Sequence, residues 1–135
     1  MTAPNPLLGT WKLVSFQFAI EDTGERGDVY DAHPTGILIL TERRFTTILT
    51  AGNQPPGADR AALFDRMMAY SGDYRIEAEK IIVSVDIARH PSWLGTEQTR
   101  FYKLDGDKLS ISTAPQHHPK FADKPVRGIV VWKKD

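Results

Sequence analysis

The chain has 135 residues and no cysteine, and its 17 basic residues match 17 acidic ones. A chain of this length buries enough surface to fold as one domain without a metal or a cross-link. The composition excludes a disulfide scaffold, a thiolate-held metal and a thiol nucleophile, and the charge balance argues against a partner held through its phosphates.

The first residues, MTAPNPLLGTW, carry neither a basic leader nor a long apolar core. They do not read as a signal peptide, and no apolar run approaches the roughly 18 residues of a membrane span. The expectation is a soluble cytoplasmic protein of one domain, residues 1–135, with no nucleic-acid and no membrane partner.

The first strand is Gly9 to Ile20 (GTWKLVSFQFAI), rich in β-branched and aromatic residues. At that length it calls for a bend or a bulge. EDTGERGD follows as a turn segment. Gly36 to Thr41 (GILILT) and Phe45 to Thr50 (FTTILT) read as a hairpin around Glu42 to Arg44. Ala51 to Gly57 (AGNQPPG) is a loop by composition.

Asp59 is placed to cap a helix running to about Tyr70, with Leu63, Phe64, Met67, Met68 and Tyr70 on one stripe. Strands then resume at Gly72 to Glu77, Lys80 to Arg89 and Thr96 to Leu104. The Asp105-Gly106-Asp107 turn leads on to Lys108 to Thr113, and Arg127 to Lys134 closes the chain. Seven or eight antiparallel strands with short connections close most naturally into a barrel. The predicted fold is therefore all-β: an eight-stranded antiparallel up-and-down β-barrel with one short α-helix that plugs or caps an end. Eight strands enclose room for side chains or for one small ligand.

Several stretches resemble a known family. A Gly-x-Trp on the first strand, as in Leu7–Phe16 (LLGTWKLVSF), is typical of lipocalins and related calycin barrels. Pro91 to Arg100 (PSWLGTEQTR), Leu104 to Thr113 (LDGDKLSIST), Tyr70 to Tyr74 (YSGDY) and Gly36 to Thr41 resemble the small bacterial and fungal lipocalin-like domain family, in the same order along the chain. The resemblance implies a calycin-type barrel. Members of that family often carry a His pair on the strand before the Pro-x-Trp loop. Val83 and Ser84 stand at those positions here, so the resemblance lends no histidine chemistry to that strand. Some such barrels are cyclases of natural-product pathways and others bind small molecules, so fold alone does not fix function.

The candidate ligand residues follow from strand alternation. On Thr96 to Leu104, Glu97 and Lys103 mark the solvated face, which turns Arg100 and Tyr102 inward. An internal Arg needs a partner, either a structural clasp or an anionic or carbonyl group of a ligand. In calycins the clasp packs an Arg on the first-strand Trp, here Trp11, itself read as a barrel plug. Asp86 has two readings. A plain connection through Pro91 to Gly95 sets it opposite Arg100, whereas the apolar face formed by Ile81, Val83, Val85 and Ile87 turns it outward; a one-residue bulge decides. Tyr70 and Tyr74 join Tyr102 as candidates for the cavity wall, with Trp93 and His90 at the mouth, and Trp132 reads as core. The histidines His33, His90, His117 and His118 do not converge in sequence, so neither a metal nor any other cofactor is expected. No nucleophile elbow, HExxH, P-loop or dinucleotide fingerprint occurs.

Three functions remain open at this level. The first is binding of a small apolar or amphipathic ligand in the barrel. The second is a cyclase- or isomerase-type enzyme in which Arg100 and a Tyr polarise a carbonyl. The third is an interaction domain whose barrel is filled by its own side chains. A homodimer is compatible with all three.

Overall fold

The computed structural model describes residues 5–30, 33–52, 57, 59–117 and 124–135, and only the backbone of 62, 63 and 117. The elements are β1 (Gly9–Ile20), β2 (Arg26–Asp28), β3 (Thr35–Leu40), β4 (Arg44–Thr50), α1 (Arg60–Asp65), β5 (Met67–Glu77), β6 (Lys80–Ala88), a 3₁₀ turn (Pro91–Trp93), β7 (Glu97–Asp105), β8 (Lys108–Ser112), β9 (Gln116–His117) and β10 (Pro125–Lys134). Strands β1, β3 to β8 and β10 each pair antiparallel with the next, and β10 returns to β1. Eight strands therefore close the expected barrel. The short β2 extends β1 at Gln17–Ala19, and β9 lies along the start of β10; both are too short to show as strands in the sequence.

Alternation builds the core. Leu38 and Leu40 on β3, Phe45 and Leu49 on β4, and Ile81, Val83 and Val85 on β6 all point inward and are almost fully buried. Each such side chain contributes roughly 1.5–3 kcal/mol by leaving water. The long β1 does contain a bulge, where the pairing with β10 shifts between Leu13 and Ser15. The shift lets both Leu13 and Phe16 join the core while Val14 stays outside.

A second irregularity falls between Ser71 and Gly72, opposite Ile87 and Val85. Gly72 is required there. A Cβ at that position would sit 1.9 Å from the carbonyl oxygen of Ser84. At the other hairpin Gly106 takes a φ of 62°, and Asp105 pairs with Lys108 across it.

The helix is much shorter than expected. It spans Arg60–Asp65 only, and Met67 to Tyr70 belong to β5, paired with β4 from Thr50 to Thr47. The stripe Met68–Tyr70 also fits a period of two, continued by Gly72 and Tyr74, and non-local pairing with β4 outweighs the local helical pattern. Nor does Phe64 plug the barrel. It is 45% exposed and lies under the guanidinium of Arg89, 4.3 Å from its ring centre. The side chain of Leu63 and all of His118 lie outside the described residues. Among the described residues no helix is long and apolar enough to cross a membrane.

Candidate ligand site

Arg100 projects from β7 into the barrel and is 8% exposed. Its Nη1 donates to the carbonyl oxygen of Thr99 at 3.1 Å. The guanidinium lies 5.5 Å from the ring centre of Tyr70 and 5.8 Å from that of Trp93. Tyr70 in turn stacks on Phe45 at 5.6 Å and meets the edge of Trp93 at 5.2 Å. Among the described residues, no carboxylate lies within ion-pair distance of Arg100. Burial pushes the Tyr70 phenol above its ordinary range, opposed by the neighbouring charge of Arg100.

Arg100, Tyr70 and Phe45 border a cavity of about 90 Å³ inside the barrel, and Trp93 packs on Tyr70 outside its lining. Its wall is mainly apolar, with Phe16, Leu49, Met68 and Val130 among the lining. Its polar groups come from Arg100, Tyr70, Thr47, Thr113 and Trp132. The indole N–H of Trp132 is buried and has no acceptor among the described residues. A buried Trp normally finds one, so this donor stands out beside hydroxyls that already have partners. Thr113, for example, already accepts from the backbone N–H of Gly128 at 2.9 Å.

The segment 90–96 fixes Trp93 in place. Nδ1 of His90 accepts from the Ser92 backbone N–H and shares a hydrogen bond with the Ser92 hydroxyl at 2.8 Å. Pro91 opens the 3₁₀ turn, Gly95 bends back with φ 78° to donate to Val85, and the Thr96 hydroxyl ties to the Trp93 carbonyl. His90 itself is exposed. It lines a smaller hollow of about 70 Å³ with Tyr30, Arg89 and Trp93, which shares Met68 with the inner cavity.

The remaining sequence candidates lie elsewhere. Tyr102 is on the inner face two residues beyond Arg100 and packs against the core. Tyr74 packs there too, and its hydroxyl is committed: it donates to the Thr41 carbonyl at 2.7 Å and accepts from Asn5 at 2.9 Å. Asp86 is outside the barrel, 52% exposed in its side chain, in a two-pronged pair with Arg44 at 2.8 and 2.6 Å. The register that set Asp86 opposite Arg100 is not the one formed. Ile81 faces Arg100, and the connection runs on past Val85 to Gly95. The local irregularity at Ser71 and Gly72 leaves both Asp86 and Ile87 outward.

The calycin-style clasp on Trp11 is also made differently. Lys134, not Arg100, lies over the Trp11 ring at 4.6 Å and donates to the Leu8 carbonyl, while the Trp11 indole donates to Leu7. The structure thus brings Arg100, Tyr70 and Trp93 together. It adds Trp132, Thr47 and Phe45, which sequence reasoning missed. Inward alternation on β4 and β10 was legible and would have found them; the vacancy at the Trp132 indole has no sequence signature. Among the described residues no cluster of three His, Asp or Glu side chains is close enough to hold an ion.

Two comparisons bear on this barrel. Over 75 residues the chain is 28% identical to the 4'-hydroxy-3'-methoxypropiophenone carrier protein of Aspergillus oryzae, an alignment covering 50% of this chain and 66% of that protein. The chain thus spans just under two thirds of that relative's length. A family model for the lipocalin-like domain matches residues 8–135, nearly the whole barrel. On that match and on the closed eight-stranded sheet, the chain belongs to the lipocalin-like domain family.

Proposed function

We propose that this barrel binds and carries a compact amphipathic small molecule, held in the cavity beside Arg100 and Tyr70. The observation that carries the reading is the cavity itself: an apolar hollow inside a closed sheet, with one buried guanidinium in its wall and no described carboxylate to neutralise it. An interaction domain would have filled that space with its own side chains. The hollow leaves about 90 Å³ open to the centres of water molecules. At roughly 10–15 Å³ per water and about 30 Å³ of liquid each, that is room for a single ring with short substituents. A long acyl chain would not fit. The similarity to a carrier named for an aryl ketone of about this size supports the same class of ligand.

A second reading rests on the pairing of Arg100 with Tyr70. Two donors on one wall would polarise a ligand carbonyl, as a cyclase or isomerase requires. One titration addresses both. Trp132 lines the site and Trp93 packs on Tyr70 in its wall, so 4'-hydroxy-3'-methoxypropiophenone should change tryptophan emission saturably with one molecule bound per barrel. Recovery of the ligand unchanged after prolonged incubation supports the carrier, whereas a rearranged product supports the enzyme. Absence of saturable binding by this ketone, and by a fluorescent apolar probe such as anilinonaphthalene sulfonate, would refute the cavity reading.

A further inference from the structure

Arg100 and Tyr70 are the two ionisable side chains among the cavity's described lining. Tyr70, buried and with its phenol held above the ordinary range, is neutral at physiological pH. A guanidinium keeps its proton at any ordinary pH. A single positive charge therefore borders an apolar hollow. One of its five N–H donors goes to the Thr99 carbonyl, the Tyr70 phenol shares a side-chain hydrogen bond with it, and the ring centres of Tyr70 and Trp93 lie 5.5 and 5.8 Å away. The next charged groups toward the mouth do not reverse that sign. Arg89 lies in the smaller hollow, 3.8 Å from Asp65 and stacked on Phe64, and His90 has its Nδ1 engaged by Ser92. Isolated internal charge is costly, and a ligand that brings the opposite charge relieves that cost more than a neutral acceptor does. The Trp132 indole adds, in the same wall, a second buried donor without an acceptor among the described residues.

We propose that the cavity selects its ligand as an anion: a compact aromatic acid whose ionised oxygen rests on Arg100 while its ring lies against Tyr70 and Phe45. This rests on the small-molecule reading above and adds the charge state and orientation of the ligand. The shared chemistry is an ionised oxygen on a ring-bearing molecule, and the two sources of it, a carboxylate and a phenolate, are tested in separate arms.

The carboxylate arm compares 3-phenylpropionate with 3-phenylpropanamide, which match in shape and differ in charge, by calorimetric titration of the native protein. The acid is expected to bind about tenfold or more tightly, the difference between a charged and a neutral hydrogen-bonded contact. The phenolate arm uses 4-nitrophenol, whose phenolate is visible by absorbance. Its apparent pKa is expected to fall by about one unit or more on binding, since a tenfold preference for one protonation state is one unit. In Arg100→Gln the acid-to-amide ratio should collapse toward one and the nitrophenol shift should vanish. Both native-protein arms stand even where that variant folds poorly. Equal binding of acid and amide, with no nitrophenol shift, overturns the anion proposal and leaves the carrier reading intact. Failure of acid, amide and nitrophenol alike to bind the native barrel also overturns the anion proposal, and overturns the carrier reading only where the ketone and the apolar probe fail to bind as well. A preference in one arm alone assigns the ionised oxygen to that source.

Discussion

Two arginines stand on opposite faces of this sheet and meet opposite conditions. Arg44, on the outer face of β4, has its acceptors around it: both carboxylate oxygens of Asp86, the Ser71 hydroxyl at 2.9 Å and Asp73 at 3.7 Å. Arg100, on the inner face of β7, has a backbone carbonyl, the Tyr70 phenol and two aromatic rings. The same side chain serves as a strut across β4, β5 and β6 in one place and, in the other, as a charge beside a cavity with no carboxylate near it among the described residues. Its role is set by whether its donors already have acceptors, and strand alternation alone does not reveal that.

The comparison breaks most completely at Gly72. The pairing offset beside it sets which residues of β6 face out, and with them the place of Asp86. A methyl group there meets the backbone of Ser84 and Val85, which cannot yield as a flexible side chain would. Gly72→Ala is therefore expected to destabilise the barrel by at least about 3 kcal/mol, read as a lower midpoint in urea unfolding. An unchanged midpoint would mean that the offset is soft and that the inside and outside assignments on β6 are not fixed by it.

Arg100→Met comes next, and it separates a clasp from a receptor. Removing one partner of a buried ion pair typically costs about 3–5 kcal/mol, whereas an internal charge with no counter-charge is itself costly, so an apolar side chain of similar size in its place removes that cost. With no described carboxylate beside Arg100, the free variant should melt at the native temperature or above it. Its affinity for 3-phenylpropionate should fall about tenfold or more. A collapse in stability with binding intact would make Arg100 a structural clasp and remove it from the site.

The contrast between the two arginines also marks how far the sequence could be read. The barrel was legible, because alternation in segments such as GILILT, FTTILT and KIIVSVDIAR, together with the Asp105-Gly106 turn, specifies strands without reference to the rest of the chain. The inward turn of Arg100 was legible for the same reason. The helix was over-extended because Met67, Met68 and Tyr70 satisfy a helical stripe, and only pairing with β4 tells the two periods apart. Asp86 stayed ambiguous because its face depends on the loop register and on the offset at Gly72, and neither leaves a local pattern. That Lys134 rather than Arg100 covers Trp11 depends on the ends of a sheet closing on itself, a contact between residues 123 positions apart in the chain.

Trp132→Phe sharpens the inner half of the comparison with a smaller effect. The substitution keeps a ring in the wall and deletes a donor that has no acceptor among the described residues. A buried unsatisfied donor costs about 1–3 kcal/mol, so the free variant should hold its stability or gain some. If a ligand oxygen reaches the indole, affinity for 3-phenylpropionate should drop about two- to tenfold, the range for a neutral hydrogen bond. Stability lost with affinity unchanged would show instead that the indole serves packing alone.

The smallest effect is expected on the outer face, at Asp86→Asn. The hydrogen bonds from Arg44 hold the Asp86 carboxyl below its usual range. A carboxyl depressed on folding adds stability that is fully present above its unfolded pKa and is lost as pH falls through the folded value. The native protein should therefore be slightly more stable than the variant at neutral pH. That difference should begin to shrink near the ordinary Asp value of about 3.9 and close below it. The pair is open to solvent, so salt should shrink the difference too. Melting both proteins at neutral pH and at about pH 3, each with and without added salt, gives the four comparisons needed. A difference that persists in acid would mean that Asp86 holds the sheet through geometry that the neutral amide disturbs, and not through its charge. Ligand binding should be the same in both proteins, because this carboxylate is outside the barrel; a change in affinity would mean that the outer arginine and the inner one are coupled through the wall between them.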